Sequence, residues 1–141
     1  MVYYETSFPV RYYECDPMGI VHHSNYLRFF ECARSAMMEA YGYSVQDCAR
    51  DNLVFPVVGV NLRFHRSLHM GDTVRVTAAI RKMPLAKLEV EQQVLNQNGE
   101  LCCSGTVILG FLDAASGRIL RCPERFARVI QSHLDDRPSQ P

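Results

Sequence analysis

One short segment, Asp16 to Tyr26, carries the residue types that could act on a substrate. Proline follows the aspartate and Gly19 comes soon after, so the chain must turn tightly just beyond the carboxylate. Two histidines, His22 and His23, then precede a stretch with helical periodicity. The first turn of a helix has unpaired N–H groups that attract negative charge. The segment therefore predicts a carboxylate facing a site for an anion.

This combination suits attack on an acyl carbonyl group. The backbone N–H near His23 could bind the developing oxyanion while Asp16 attacks the carbon atom or activates water. Spacing alone also allows Asp16 to be only a turn or capping residue. We expect no metal site, because His65 and His69 lie in an extended stretch without a carboxylate or cysteine to complete a ligand set.

The element that would position this segment is a helix predicted from Asn25 to Tyr41. Ser24 or Asn25 can cap its start, and Gly42 can take the left-handed conformation that ends it. Because the apolar face is wide, we expect the helix to be surrounded by other elements. Apolar residues recur at spacings of three and four at Tyr26, Phe29, Phe30, Ala33, Met37 and Ala40.

Most of the remaining chain predicts strands, because apolar and polar residues alternate. A short helix capped by Ser44 and a last helix after Pro123 complete the elements. Consecutive hairpins, with Asn98-Gly99 as the clearest turn, make the sheet antiparallel. We therefore predict an α+β fold in which a sheet of about five strands wraps around one long helix. The predicted strands cover residues 3–12, 54–66, 73–83, 87–97, 101–112 and 118–122.

Composition indicates one ordinary globular domain. The 141 residues are 48% hydrophobic, and 15 Lys+Arg balance 15 Asp+Glu, which argues against nucleic-acid binding. No run approaches the ~20 apolar residues of a membrane span, and residues 1–11 lack the features of a signal peptide. We expect a cytoplasmic protein with free cysteines. Its domain covers residues 1–132, and residues 133–141 form a flexible tail.

The basic residues gather in two stretches, residues 61–88 and 118–128, and all of them except Lys82 and Lys87 are arginine. The planar guanidinium group suits phosphate oxygens, so the stretches could bind a small phosphorylated ligand. A solvated strand face is the alternative.

The segment around Asp16 resembles a known signature. Asp16-Pro-Met-Gly-Ile-Val-His-His-Ser-Asn-Tyr26, followed by Phe30-Glu-Cys-Ala-Arg34, is similar to the D-x-x-G-x-V-x-x-x-x-Y…E-x-A-R motif of hotdog-fold thioesterases. The subfamily it resembles most is that of 4-hydroxybenzoyl-CoA thioesterase and the acyl-CoA thioesterases associated with the Tol-Pal system. The likeness extends over nearly the whole chain, from Phe8 to Pro123.

The resemblance implies a hotdog fold and an enzyme that hydrolyses an acyl- or aroyl-CoA thioester to the free acid and coenzyme A, without a metal or redox cofactor. It makes Asp16 the catalytic group, as nucleophile or as general base, with His23 and Tyr12 beside it. For Tyr12 the alternative is an aromatic ring packed in the sheet. Gly19 would let the thioester approach the backbone closely.

The resemblance also implies where coenzyme A binds. Lys87, Arg118 and Arg121 would hold its phosphates, with Arg81 and Lys82 as second choices. The acyl group, and whether coenzyme A or an acyl-carrier protein delivers it, are left open by the sequence.

Family members join two sheets into one continuous sheet, so we expect a homodimer or a homotetramer built as a dimer of dimers. Residues in Val57 to Phe64 of a second copy would then lie opposite Asp16. Two alternatives share the fold. One is a non-catalytic module that binds acyl-CoA or acyl-carrier protein, and the other is a hotdog dehydratase, whose H-F-P-G-type helix entry this sequence lacks.

Overall fold

The computed structural model describes residues 1–134. Residues 135–141, which make up most of the predicted tail, lie outside the described part, and His133 is the last residue of the final helix. The elements in chain order are β1 (Val2–Pro9), a 3-10 turn (Tyr12–Glu14), α1 (Asn25–Ala40), α2 (Val45–Arg50), β2 (Leu53–Val54), β3 (Val57–Phe64), β4 (Thr73–Ile80), β5 (Leu88–Leu95), β6 (Leu101–Leu109), β7 (Phe111–Asp113), β8 (Ile119–Leu120) and α3 (Glu124–His133).

Five strands form one antiparallel sheet in the order β1–β4–β5–β6–β3. The alternation in β5 shows why the sheet forms: Val90 and Val94 are buried on its inner face, whereas Glu89 and Glu91 are exposed on the other. The hairpin predicted at Asn98-Gly99 joins β5 to β6. The sheet therefore has one apolar face, as the sequence predicts.

Helix α1 lies on this apolar face and contacts β1, β4 and β5. Phe29, Phe30 and Ala33 are at most 1% exposed. A buried polar side chain, Gln92, fixes the helix to the sheet: its Nε2 donates to the carbonyl of Phe30 at 2.8 Å, and its Oε1 accepts from Arg34 at 3.0 Å. Because a buried amide without partners would be costly, these bonds define how the helix sits on the sheet.

The two ends of α1 agree only in part with the sequence. Gly42 has φ of +90° just after the helix, as predicted for the residue that ends it. The predicted cap by Ser24 is wrong: this residue has helical dihedral angles and its side chain makes no capping bond. Its hydroxyl instead lies 2.8 Å from Nδ1 of His22.

Two long predicted strands are each divided in the structure. Pro56 and Gly110 face one another where the divisions fall, and the N–H of Gly110 donates to the carbonyl of Pro56 at 2.8 Å. Beyond this point β2, β7 and β8 form a separate three-stranded sheet. The strands predicted over 54–66 and 101–112 are therefore too long, because proline cannot donate to a ladder and glycine permits a sharp change of direction.

The first strand is also shorter than predicted, since β1 ends at Pro9 and not at Tyr12. The predicted short helix after Ser44 is confirmed as α2: the hydroxyl of Ser44 accepts from the N–H of Asp47, whose carboxylate accepts from the N–H of Ser44 in return. The α+β architecture with one long helix on an antiparallel sheet is confirmed. Within residues 1–134 no helix is both long and apolar enough to cross a membrane.

Candidate active site

A cavity of about 310 Å³ lies at the N-terminal end of α1. One wall is the loop between β1 and α1, and the other is the end of β3 with the residues that follow it. The lining residues are Asp16, Ile20, Val21, His22, His23, Tyr26, Phe64, His65, Arg66 and Ser67. Two of the predicted catalytic residues, Asp16 and His23, therefore share one cavity.

The two carboxylate oxygens of Asp16 differ in their surroundings. Oδ1 accepts from the N–H of Met18 at 2.8 Å and from that of Ile20 at 3.4 Å, which closes the turn. No hydrogen bond to Oδ2 is found from any of residues 1–134. Oδ1 of Asp16 thus stabilises the turn, and Oδ2 is available to a substrate or to water.

The loop that carries Asp16 is held in place by backbone pairing. Cys15 pairs with Val21 across the turn, and Ile20 pairs with His69 of the segment between β3 and β4. Gly19 bends the loop with φ of +79°, a conformation that residues with a Cβ rarely adopt. A Cβ placed there would meet no atom within 4 Å, so this glycine is required by the backbone bend and not by lack of space within one chain.

The start of α1 presents an N–H group without a partner. Among the described residues no acceptor is found for the N–H of His23, whereas the N–H groups of Asn25 and Tyr26 donate to the carbonyls of His22 and His23. The rings of His22 and His23 are exposed and stack with their centroids 4.1 Å apart. An unpaired N–H at a helix start is a suitable donor to an oxyanion.

Tyr12 lies in the 3-10 turn and is 76% exposed. The alternative in which its ring packs in the sheet is therefore wrong, because the chain leaves the sheet at Pro9. Its ring makes an edge contact with that of Tyr13, with centroids 5.7 Å apart. Tyr12 does not line the cavity that holds Asp16.

The chain is similar to proteins of one family. A family model described as the thioesterase-like superfamily matches residues 10–130. The chain belongs to this superfamily. The chain is 30% identical over 133 residues to a candidate esterase of Synechocystis sp., which covers 94% of the chain and 78% of that protein. It is 27% identical over 108 residues to the acyl-CoA thioester hydrolase YbgC of Escherichia coli, with 75% of the chain and 81% of YbgC covered.

Among solved structures, the DHNA-CoA thioesterase of Staphylococcus aureus matches with a TM-score of 0.85 at 26% identity, covering 94% of this chain and 89% of that one. The predicted hotdog fold is therefore confirmed, as is the thioesterase family with its class of thioester hydrolases.

The sequence analysis expects Val57 to Phe64 of a second copy opposite Asp16, but it does not predict that residues 64–67 of the same chain form the second wall of this cavity. Phe64, 55% exposed, makes an edge contact with the ring of Tyr26 at 5.2 Å between centroids. The ring of His65 is hydrogen-bonded to the hydroxyl of Ser104 at 2.8 Å, and Arg66 forms an ion pair with Glu100 at 3.1 Å. The pairing of β3 with β6 and the bridge between Ile20 and His69 bring these residues to the loop that carries Asp16, and no local motif marks them.

The predicted coenzyme A contacts do not lie at this cavity of the same chain. Lys87 precedes β5 and, with Lys82, lines a different cavity of about 280 Å³. Arg118 and Arg121 flank β8, which is held to the same region because the N–H of Cys122 donates to the carbonyl of Leu85 at 2.7 Å. Along β6 this end of the sheet is about 20 Å from the end that borders the Asp16 cavity.

A cysteine beside the catalytic candidate is a poor nucleophile. Burial, followed by the negative charges of Glu14 and Asp16, raises the pKa of the Cys15 thiol above its ordinary value, so the thiolate is disfavoured. Burial also raises the pKa of Tyr26, which lines the cavity, to about 12, so its hydroxyl is a still weaker acid than an ordinary tyrosine. Among residues 1–134 no group of three or more His, Cys, Asp or Glu side chains is placed to hold a metal ion.

Proposed function

We propose that this protein is an acyl-CoA thioesterase that hydrolyses an acyl- or aroyl-CoA thioester to the free acid and coenzyme A. The observation that carries the proposal is the pair of groups in one cavity, a carboxylate oxygen of Asp16 and the N–H of His23, neither of which has a partner among the described residues. The names of the relatives support the substrate class, since they include acyl-CoA and DHNA-CoA hydrolases.

The chemistry needs little more than these two groups. With the thioester carbonyl oxygen at the N–H of His23, negative charge that develops on this oxygen is stabilised by the helix start. Asp16 then either attacks the carbonyl carbon to form a mixed anhydride, which water hydrolyses, or removes a proton from a water molecule that attacks directly. In both routes the C–S bond breaks and the thiol, with a pKa near ~8.5, leaves as thiolate without a strong acid.

Three further residues complete the proposed site. Gly19 gives the loop the bend that holds Asp16 at the cavity. The ring of His23 is exposed at the cavity, and the exposed Tyr12 precedes Asp16 on the same loop, outside the lining of this cavity. We assign positioning of the substrate to these two side chains. The proposed reaction consumes only water and the thioester, so it requires no cofactor.

The proposal includes a dimer, because β3 is an edge strand with an exposed apolar surface. Val57, Val58, Val60 and Phe64 are each at least 43% exposed on this strand. Antiparallel pairing of β3 with the same strand of a second copy would cover them and join the sheets. It would also bring the Val57 end of β3 in one copy beside the Phe64 end of β3 in the other, where the cavity of Asp16 lies.

Such a pairing would explain why the basic residues lie far from Asp16 within one chain. Lys87, Arg118 and Arg121 of a second copy would be carried toward the cavity and could bind the phosphates of coenzyme A. We propose the dimer as the smallest active unit and a dimer of dimers as the larger assembly. The mass of the protein in solution, measured by light scattering, tests both.

We also propose a cytoplasmic location. All six cysteines are free thiols in the structure, which is typical of proteins from a reducing compartment.

Thiol release from a panel of acyl-CoAs tests the function. The panel contains acetyl-, butyryl-, palmitoyl-, benzoyl- and 4-hydroxybenzoyl-CoA, and the variant is Asp16→Asn. We expect a loss of ~10² or more in kcat with the preferred substrate, because the amide can neither attack nor accept a proton.

Asp113→Asn is the matched control. Asp113 closes the turn between β7 and β8 in the three-stranded sheet, where its Oδ1 accepts from the N–H groups of Ala115 and Ser116, so the substitution makes the same change without touching the cavity. Full activity of Asp16→Asn would reduce Asp16 to a turn residue. If the wild type binds CoA but cleaves none of the panel, a non-catalytic binding module replaces the proposed enzyme.

A further inference from the structure

Asn25, the first residue of α1, is 7% exposed. Its Nδ2–H donates to the carbonyl oxygen of Glu14 at 2.8 Å. The same oxygen accepts from the N–H of His22 at 2.9 Å. The carbonyl oxygen of Glu14, two residues before Asp16, is therefore bonded both to the first residue of α1 and to His22, the residue before His23.

The side chain of Glu14 is also held in place. The buried Glu14 carboxylate accepts from the N–H of Arg11 at 2.7 Å and from its guanidinium group at 3.3 Å. The loop next to Asp16 thus cannot move without breaking buried hydrogen bonds, which cost more to lose than exposed ones.

We propose that Asn25 is a positioning residue for catalysis. Its bond to Glu14 sets the separation between the carboxylate of Asp16 and the N–H of His23, the two groups that must act on opposite sides of one carbonyl. This inference rests on the proposed function. It adds a residue that touches neither substrate nor water and acts through the loop.

The test is Asn25→Asp, which keeps the size of the side chain but replaces the donor with an acceptor that repels the carbonyl of Glu14. Because misplacement by ~1 Å can cost about 10²-fold in rate, we expect kcat to fall by ~10- to 100-fold while KM changes by less than about threefold. In the NMR spectrum, the amide signals of His22 and His23 should move more than those of β5.

Thr77→Val is the matched control, since it also keeps the size of the side chain. Thr77 is also buried, and its Oγ1 accepts from the N–H of Gln93 at 3.1 Å in the pairing of β4 with β5, away from the cavity of Asp16. Both variants should unfold at a lower temperature, but only Asn25→Asp should lose kcat when assayed well below its midpoint. A readout of stability alone would not separate them.

Asn25→Ala removes the donor without adding repulsion, and it should lose kcat to a smaller extent than Asn25→Asp. If both variants fold and turn over within about twofold of the wild type, the proposal is overturned. It is also overturned if neither variant folds at 10 °C, because Asn25 would then be structural. In both cases the loss of activity in Asp16→Asn would still support the thioesterase, so the two proposals fail separately.

Discussion

The two ends of α1 are built in opposite ways. Beyond its C-terminal end, the ring of Tyr43 packs edge-on against Phe126 at 5.2 Å between centroids, and Phe126 contacts Phe55 and Phe111 at 5.2 and 5.9 Å. At its N-terminal end, Phe64 is 55% exposed and an oxygen of Asp16 and the N–H of His23 lack partners among residues 1–134. The aromatic rings at the C-terminal end find their partners within the chain, beside a cavity of about 240 Å³, whereas polar groups at the N-terminal end are left open.

Polar groups follow the same division. At the packed end the hydroxyl of Tyr43 donates to Asp51 at 2.8 Å, and Arg125 forms ion pairs with both Asp47 and Asp51. At the open end the residues that carry the unpaired groups line a cavity that solvent reaches, so leaving these groups unpaired costs little free energy. The chain thus places its stabilising contacts at one end and keeps free hydrogen-bonding capacity at the other, where a ligand can use it.

Truncation of an aromatic ring should give the largest difference between the two ends. Phe126 is fully buried, so Phe126→Ala should lower the free energy of unfolding by ~3–5 kcal/mol through lost burial and a cavity. The kcat of the folded protein should be unchanged. Urea denaturation and thiol release measure the two quantities.

Phe64→Ala is the counterpart at the open end. Because more than half of Phe64 is exposed within one chain, we expect the monomer to lose less than ~1 kcal/mol in the free energy of unfolding. The proposed dimer would cover this ring, so its dissociation constant, measured by light scattering over a dilution series, should rise. Equal losses of stability at the two positions would show that the open end is packed as tightly as the other.

Two glycines in left-handed conformations offer a matched pair of smaller changes. Gly19 has φ of +79° in the loop of Asp16, and Gly117 has φ of +73° in the turn between β7 and β8; a Cβ at either would meet no atom within 4 Å. Gly19→Ala and Gly117→Ala should therefore cost a similar ~1–2 kcal/mol in the free energy of unfolding, from backbone strain alone.

Only Gly19→Ala should also reduce kcat, because relief of its strain rotates the backbone that carries Asp16. The measurement is kcat at saturating substrate beside a denaturation curve for each variant. A variant with Gly19→Ala that loses stability but keeps full activity would mean that the bend of the loop does not set the position of the carboxylate.

The sequence predicts those features of the fold that depend on residues close together along the chain. The amphipathic pattern of α1, the alternation of β5 and the Asn98-Gly99 turn are local, and all three are confirmed. The divisions at Pro56 and Gly110 are not predicted, because apolar residues continue through both. The structure shows them in the separate pairing of β2 with β7 and in the bond from the N–H of Gly110 to the carbonyl of Pro56.

The residues of the candidate site also fall into those that a local motif predicts and those that it does not. The loop of Asp16 is contiguous, so its motif can be found in the sequence, and the shared cavity of Asp16 and His23 agrees with that prediction. His65 and Arg66 reach the cavity through the register of β3 on β6, which no spacing along the chain encodes. The burial of Asn25 likewise depends on a loop folding back over the helix start.

The smallest test compares two serines that precede helices. The hydroxyl of Ser44 accepts from the N–H of Asp47 at the start of α2, so Ser44→Ala should cost ~1 kcal/mol in the free energy of unfolding. Ser24 precedes α1 but makes no capping bond, and its hydroxyl contacts only the exposed ring of His22. We expect Ser24→Ala to change stability by less than ~0.5 kcal/mol.

The contrast bears on the function of the two helix starts. A capping hydroxyl at Ser24 would accept from the N–H of Tyr26 or Leu27 and leave the N–H of His23 available, so an uncapped start of α1 costs stability without being needed for the oxyanion donor. Urea denaturation of both variants measures the difference. A loss of ~1 kcal/mol for Ser24→Ala would indicate a cap in solution and would remove the difference between the two helix starts.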